Sequence, residues 1–283
     1  MSGVYDPAGL SRFYDAYGET EWMRLERDLQ GRISYAIHLK LLDLPSLQGL
    51  RVADLGCGPG RFAIDMLRAG ARVTLGDISP TQLATARHRI TDAGLLDGVE
   101  SAHELDICDL SPFGDGAFDI VVCYGGALSY VRERHEEALA ELVRVLRPGG
   151  RLVISVMSLY GTLALAGTLD AVDFLVRMEA HIPSGSVGDL PGLLLTVPGS
   201  TEFHQPIALF SASYLRDLVE SAGCKVERVA AANPISRIGS PLTAVSADAE
   251  ATRRLLELEL ALCEAPGVLD MGAHIVLSAT RRG

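Results

Sequence analysis

The chain has 283 residues, 48% of them hydrophobic, with a mean hydropathy of +0.23 and a formal net charge of −11. That length and apolar content suit one enlarged α/β domain with a substantial core. An acidic chain without a basic run argues against a nucleic-acid partner, because phosphate contacts need clustered Lys and Arg. Five cysteines (Cys57, Cys108, Cys123, Cys224 and Cys263), odd in number and never spaced CxxC, argue against a disulfide framework or a zinc site and predict a reducing, cytoplasmic setting.

Met1–Tyr14 has no basic stretch leading into an apolar one, so no signal peptide is expected there. Residues 1–45 read as helical, with Tyr5, Phe13, Tyr14, Tyr17 and Trp22 gathered near their start. Val52, Ala53 and Leu55 then read as a buried parallel strand that runs into Gly56, Gly58 and Gly60 and on into a helix over Arg61–Ala69. Glycines at such a joint let backbone approach a ligand where a Cβ would clash. The spacing is G-x-G-x-G rather than the dinucleotide fingerprint, and no Gly-Lys-Ser/Thr follows. Asp54 just before the loop suits a ligand with a positive centre rather than a diphosphate.

A second strand, Arg72–Gly76, ends in Asp77, about 20 residues beyond the loop, where nucleoside-binding folds place a carboxylate for ribose hydroxyls. Ser79 and Pro80 open a helix with Leu83, Ala84, Ala86 and Ile90 at helical spacing. Asp106–Leu110 is a short acidic segment, Phe118–Cys123 a fourth strand followed by the loop Tyr124–Leu128, and Leu146–Leu152 a turn into a fifth strand over Arg151–Val156. Strand–helix alternation over 46–156 predicts a parallel sheet covered on both faces. It lapses over 157–208, which hold an apolar run, a Gly/Pro/Ser-rich loop from Ile182 to Pro191 and a short apolar segment Leu193–Val197. The run Leu159–Val176, broken by Gly161, Gly167, Asp170 and Asp173, is too short to span a bilayer. A helix ending at Gly223, a strand over Lys225–Ala231, a helix over Ala247–Cys263 and a strand over His274–Thr280 complete the pattern.

Asp54–Gly60, read D-L-G-C-G-P-G, resembles motif I of the class I S-adenosylmethionine-dependent methyltransferases, and the segments at Asp77, Asp106–Leu110, Phe118–Cys123 and Leu146–Leu152 follow in that family's order. The resemblance implies a doubly wound, mostly parallel seven-stranded sheet of the Rossmann-like methyltransferase type. Its core would be 46–156 and 209–283, with an N-terminal helical cap (1–45) and a lid or substrate insertion (157–208). It implies S-adenosylmethionine as cofactor, S-adenosylhomocysteine as product and no metal. The cofactor residues would be Asp54, Gly56, Cys57, Gly58 and Gly60 of motif I, Asp77 and Ile78 at the ribose, Asp106 and Ile107 at the adenine, and Cys123 at the end of the fourth strand, with Tyr14 and Arg32 from the cap. Arg32 lies 22 residues before Asp54, where enzymes resembling glycine N-methyltransferase place an arginine on the cofactor's carboxylate; a guanidinium suits that task through paired charge-assisted hydrogen bonds. The plainer readings are an outward helix arginine for Arg32, a helix cap for Asp77 (Ser79 is the better cap), and solvated loop acids for Asp106 and Asp109.

Methyl transfer is an in-line displacement for which positioning supplies most of the rate, and a base is needed only where the nucleophile must lose a proton. Glu21, Tyr124, His181 and His204 are the candidates for that base, with Glu19 and Tyr130 behind them. Tyr17, Trp22, Tyr130 and Phe174 are the expected acceptor contacts, equally readable as core aromatics. They suit a small aromatic or heterocyclic acceptor of secondary metabolism, methylated on oxygen, nitrogen or carbon. The acidic cluster of a catechol-type magnesium site is missing, and Cys123-Tyr124-Gly125-Gly126 lacks the acidic pair of spermidine-synthase-like enzymes. The competing reading is a non-catalytic S-adenosylmethionine-binding or partner subunit. For 157–208 the alternative to a lid is a homodimer interface. Neither a nucleic acid nor a membrane is an expected partner.

Overall fold

Short apolar runs that end in glycine or an acid form the strands that carry the molecule. In the computed structural model, which describes residues 5–168, 188–190, 207–236 and 242–283 (backbone alone at 165–168 and 188–190), these are β1 (Arg51–Leu55), β2 (Arg72–Asp77), β3 (Val99–Glu104), β4 (Phe118–Cys123), β5 (Leu146–Met157), β8 (Cys224–Ala232) and β9 (His274–Arg281). They make one seven-stranded sheet in the order β3-β2-β1-β4-β5-β9-β8, parallel except for β9, which runs antiparallel to both neighbours. β6 (Gly188–Leu190) and β7 (Ile207–Leu209) pair separately.

Successive side chains of a strand point to opposite faces, and each face is covered. Ala53, Leu55, Val121, Ile154 and Leu277 pack with residues of α6 (Ala127–Tyr130), α7 (His135–Val145) and α9 (Ala212–Ser221). Val52, Val73, Val122, Val153 and Val276 pack with α3 (Leu29–Leu42), α4 (Arg61–Arg68) and α5 (Pro80–Asp92). The other described helices are α1 (Pro7–Tyr17), α2 (Glu19–Met23), α8 (Leu159–Thr168), α10 (Thr243–Ser246) and α11 (Ala249–Leu262). Polar caps start several of them: Asp6, Asp28, Ser79, Ser211 and Asp248 each accept a backbone N–H of the first turn, an arrangement worth about 1 kcal/mol apiece.

The sequence boundaries need three adjustments. β5 begins at Leu146 rather than Arg151, because Leu146 pairs with Phe118 before the Arg147–Gly150 turn shifts the register and pairing resumes at Ile120–Arg151. The helix expected over Ala247–Cys263 is α11, capped by Asp248 and preceded by the short α10. Within 1–45, α3 is a structural layer that buries Ile33, Ile37 and Leu41 on the sheet, so α1 and α2 alone stand over the strand ends. Of segment 157–208, α8 and the β6–β7 pair are described; Leu193–Val197, Phe174, His181 and His204 lie outside the described residues. Among the described residues no helix is long and apolar enough to cross a membrane.

Candidate active site

The carboxyl ends of β1, β2 and β4 open onto one pocket floored by the loop after β1. Gly56 and Cys57 both donate their N–H to the Gly76 carbonyl (2.7 and 3.1 Å), which pins the loop to β2. Gly56, Gly58 and Gly60 have φ of 76°, 52° and 82°, in the region that favours glycine, but their surroundings differ. A Cβ on Gly56 would lie 2.7 Å from Ala127 Cβ and one on Gly60 2.9 Å from Ala86 Cβ, whereas over Gly58 the nearest atom is Glu21 Cγ at 3.7 Å. Gly56 and Gly60 therefore serve close packing as well; the space over Gly58 belongs to the pocket. Gly60 does not line it.

Asp77 faces this loop. Its Oδ2 accepts Gly58 N–H (2.7 Å) and its Oδ1 accepts Ser79 N–H (2.9 Å). Burial pushes its carboxyl up to about 6, against the two backbone donors and with help from Glu21. Asp54, at the end of β1, is 2% exposed, and its Oδ2 has no hydrogen-bond partner among the described residues. Burial, then the Asp77 charge, raise it to about 7. Ile78, Asp106 and Ile107 continue the wall. Asp106 turns its Oδ1 back onto Cys108 N–H (2.9 Å), while Asp109 is exposed and binds Ser111 N–H.

Tyr14 of α1 and Tyr130 of α6 also line the pocket and meet edge to face at 5.7 Å. α2 brings Glu21 in, and the Arg24 guanidinium donates from Nε and Nη2 to Glu21 Oε1 (3.0 and 2.8 Å). Burial works against the Arg24 charge, and Glu21 outweighs it. Arg24 Nη2 lies 3.5 Å from where a Cβ of Gly125 would be. The pocket thus joins Tyr14, Glu21, Gly56, Gly58, Asp77, Ile78, Asp106, Ile107 and Tyr130 from distant parts of the sequence.

Other predicted residues fall elsewhere. Arg32 is exposed, because α3 buries positions 29, 33, 37 and 41 and residue 32 falls on the opposite side. The cap arginine that pairs with the pocket-lining Glu21 is Arg24; its sequence signal was an acid–arginine pair at helical spacing, Glu21 and Arg24. Cys57 and Cys123 are buried thiols that do not line the pocket, and burial pushes Cys123 up to about 12. Tyr124 borders the pocket, yet its hydroxyl donates to the His38 carbonyl (3.0 Å) among His38 and Phe62, and burial pushes it well above the usual phenol range. It is a core donor and not a base. Tyr17 stacks on Phe13 (5.5 Å, 18°), and Trp22 lines a separate outer cleft with Arg61 and Arg89. Neither lines the pocket. Tyr5, Leu10 and Leu105 do, and sequence reasoning missed them.

The sheet order and flanking helices are those of the Rossmann-like methyltransferase fold. Residues 53–154, about a third of the chain, match a family described as "Methyltransferase domain". Methyltransferase GfsG of Streptomyces halstedii is 36% identical over 118 residues, 41% of this chain and 40% of that protein. Demethylmenaquinone methyltransferase of Thermus thermophilus is 41% identical over 107 residues, 37% of this chain and 46% of that protein. The chain thus spans less than half the length of these two curated relatives. Among solved structures, magnesium protoporphyrin IX methyltransferase of Synechocystis PCC 6803 with bound S-adenosylmethionine shares the fold at 16% identity, with a TM-score of 0.57 over 99% of each chain. The 1,6-didemethyltoxoflavin-N1-methyltransferase of Burkholderia thailandensis does so at 16% identity, with a TM-score of 0.55 over 100% of this chain and 93% of that one.

Proposed function

We propose that this chain uses S-adenosylmethionine to methylate a small aromatic or heterocyclic acceptor on oxygen, nitrogen or carbon. The observation that carries the reading is the convergence of Asp77 and Glu21 on the open face of Gly58, with Asp54 buried within electrostatic reach of Asp77 and Arg24 paired with Glu21. Three carboxylates suit a ligand that carries a sulfonium and an ammonium, and one guanidinium suits its carboxylate. An unpartnered buried acceptor such as Asp54 Oδ2 costs about 1–3 kcal/mol, a cost that a donor on a ligand or bridging water removes. Asp77 takes the ribose hydroxyls and Asp106 the adenine edge.

Bound S-adenosylmethionine supplies an electrophilic methyl carbon on its sulfonium. The chain's part is to orient: Tyr14 and Tyr130, in edge-to-face contact, present one aromatic wall to a flat acceptor. Where the acceptor must lose a proton, Glu21, His181 or His204 accepts it. Glu21 is the one in the described wall; Arg24 binds its Oε1, leaving Oε2 as a second acceptor. The acceptor class draws on Tyr14 and Tyr130 and on relatives named for demethylmenaquinone and 1,6-didemethyltoxoflavin. The reading includes a cytoplasmic enzyme of secondary metabolism.

Titration calorimetry with S-adenosylhomocysteine tests the binding half. Arg24→Gln is expected to weaken affinity about 10- to 150-fold, the range for hydrogen bonds to charged groups, and an unchanged affinity overturns the Arg24 assignment. Incubation with S-adenosylmethionine and a panel of phenols, aromatic amines and indoles, read by mass spectrometry, tests the rest. Tight binding without transfer to any of them favours the non-catalytic subunit; no binding refutes the reading.

A further inference from the structure

α2 has five residues, none of them buried, and a helix that short does not hold its shape unaided. Yet it carries Glu21 into the pocket and leads into Arg24. What fixes it lies on its other side. The guanidinium carbons of Arg61 and Arg89 lie 3.7 and 3.9 Å from the Trp22 ring centroid, well inside the roughly 6 Å of a cation–π contact. Arg61 Nη2 also donates to the Trp22 carbonyl (3.0 Å), Arg61 pairs with Glu26, and Arg89 pairs with Glu19. Residues 19–26 are therefore gripped at both ends and in the middle by two arginines. Arg61 opens α4 directly after Gly60, and Arg89 sits in the last turn of α5, the helix that Ser79 caps next to Asp77. The cap is fastened to the two helices that follow the pocket-lining pairs Gly56 and Gly58, and Asp77 and Ile78. The outer cleft itself balances Arg61, Arg68 and Arg89 against Glu26, Asp65 and Asp92, so it is no anion site; the indole is what the arginines hold.

We propose that Trp22 is a positioning residue, a latch that sets Glu21 and Arg24 at the end of the pocket receiving the amino-acid tail. This rests on the reading above that the pocket takes S-adenosylmethionine. A ligand with that tail needs α2 in place, whereas a tail-less nucleoside does not. Apparent affinity for the tailed ligand falls with the fraction of molecules whose latch is closed.

The test is titration of the full chain with S-adenosylhomocysteine and with 5′-methylthioadenosine, which shares the nucleoside and sulfur but lacks the tail. Trp22→Ala is expected to weaken S-adenosylhomocysteine about 5- to 30-fold, the worth of the two cation–π contacts, and methylthioadenosine by less than about threefold. Trp22→Phe is expected to recover most of the loss. Arg89→Gln, which keeps the indole, is expected to show the same preference together with a changed emission from Trp22, the chain's single tryptophan. Wild type that binds neither ligand refutes the cofactor reading and the latch with it. Wild type that binds both, while Trp22→Ala loses both equally or neither, overturns the latch alone. So does Arg89→Gln with unchanged emission and affinity.

Discussion

Replacing Asp54 by Asn is expected to stabilise the ligand-free protein while weakening its hold on S-adenosylmethionine. The carboxyl ends β1 with 2% of its surface exposed and with Oδ2 unpartnered among the described residues. Burial, reinforced by Asp77, raises it from 3.8 to about 7, so keeping it ionised in the native state costs about 4 kcal/mol relative to the unfolded chain. The direction follows from linkage: an acid raised in the folded state favours folding fully below its unfolded value, and that contribution drains away as pH climbs from about 4 through about 7. Above that window the whole cost falls on the wild type. Asn cannot ionise, but its amide is also buried and gives back part of the gain, leaving about 1–3 kcal/mol, or a rise of a few degrees in Tm for a chain of this size. Melting curves at pH 8.5 and pH 4.5, with and without S-adenosylmethionine, would read it. Asp54→Asn should melt higher at pH 8.5, the gap should narrow at pH 4.5, and ligand should stabilise the wild type more than the variant. A variant less stable at pH 8.5, or a gap independent of pH, would refute the reasoning.

Asp77→Ala is expected to weaken S-adenosylhomocysteine by an order of magnitude or more, through about 1.5–3 kcal/mol per ribose hydrogen bond to a charged acceptor; wild-type affinity in calorimetry would show that β2 does not serve the ribose. Tyr124→Phe is expected to leave affinity and turnover unchanged and to cost about 1 kcal/mol of stability in denaturant titration, from the lost bond to the His38 carbonyl. A fall in turnover at unchanged stability would return Tyr124 to the chemistry.

What could be read from the chain alone was local. Strands buried on both faces are near-continuous apolar runs, so the ends of β1 and β2, and with them Asp54 and Asp77, stand out where apolar residues give way to an acid. The glycine loop is equally legible, since its positive φ values leave a mark in composition. The cap was not. α2 is too short to show a period, so nothing in the string says that Glu21 points inward while Trp22, its neighbour, points out. Arg32 was misplaced because α3 has weak amphipathic contrast: polar Ser34 and His38 share the buried side with Ile33 and Ile37, which hides the phase that turns residue 32 to solvent. The Tyr124 hydroxyl meets a carbonyl 86 residues away, a pairing that only the folded chain discloses.

The placement of β9 has a bearing on how the molecule is made. β9 lies between β5 and β8 and is the strand through which β8 joins the sheet. A ribosome delivers β8 well before residue 274, so the emerging β8 has to wait, and the outer edge of β5 stays bare in the meantime. Such an edge is a template for pairing with other chains. By contrast β1, β2 and β4, whose ends frame the pocket, have all been synthesised by residue 123, and β1 bonds directly to each of the other two. The half of the sheet that meets the ligand is finished early, and the hazard of an unfinished nascent chain falls on β5.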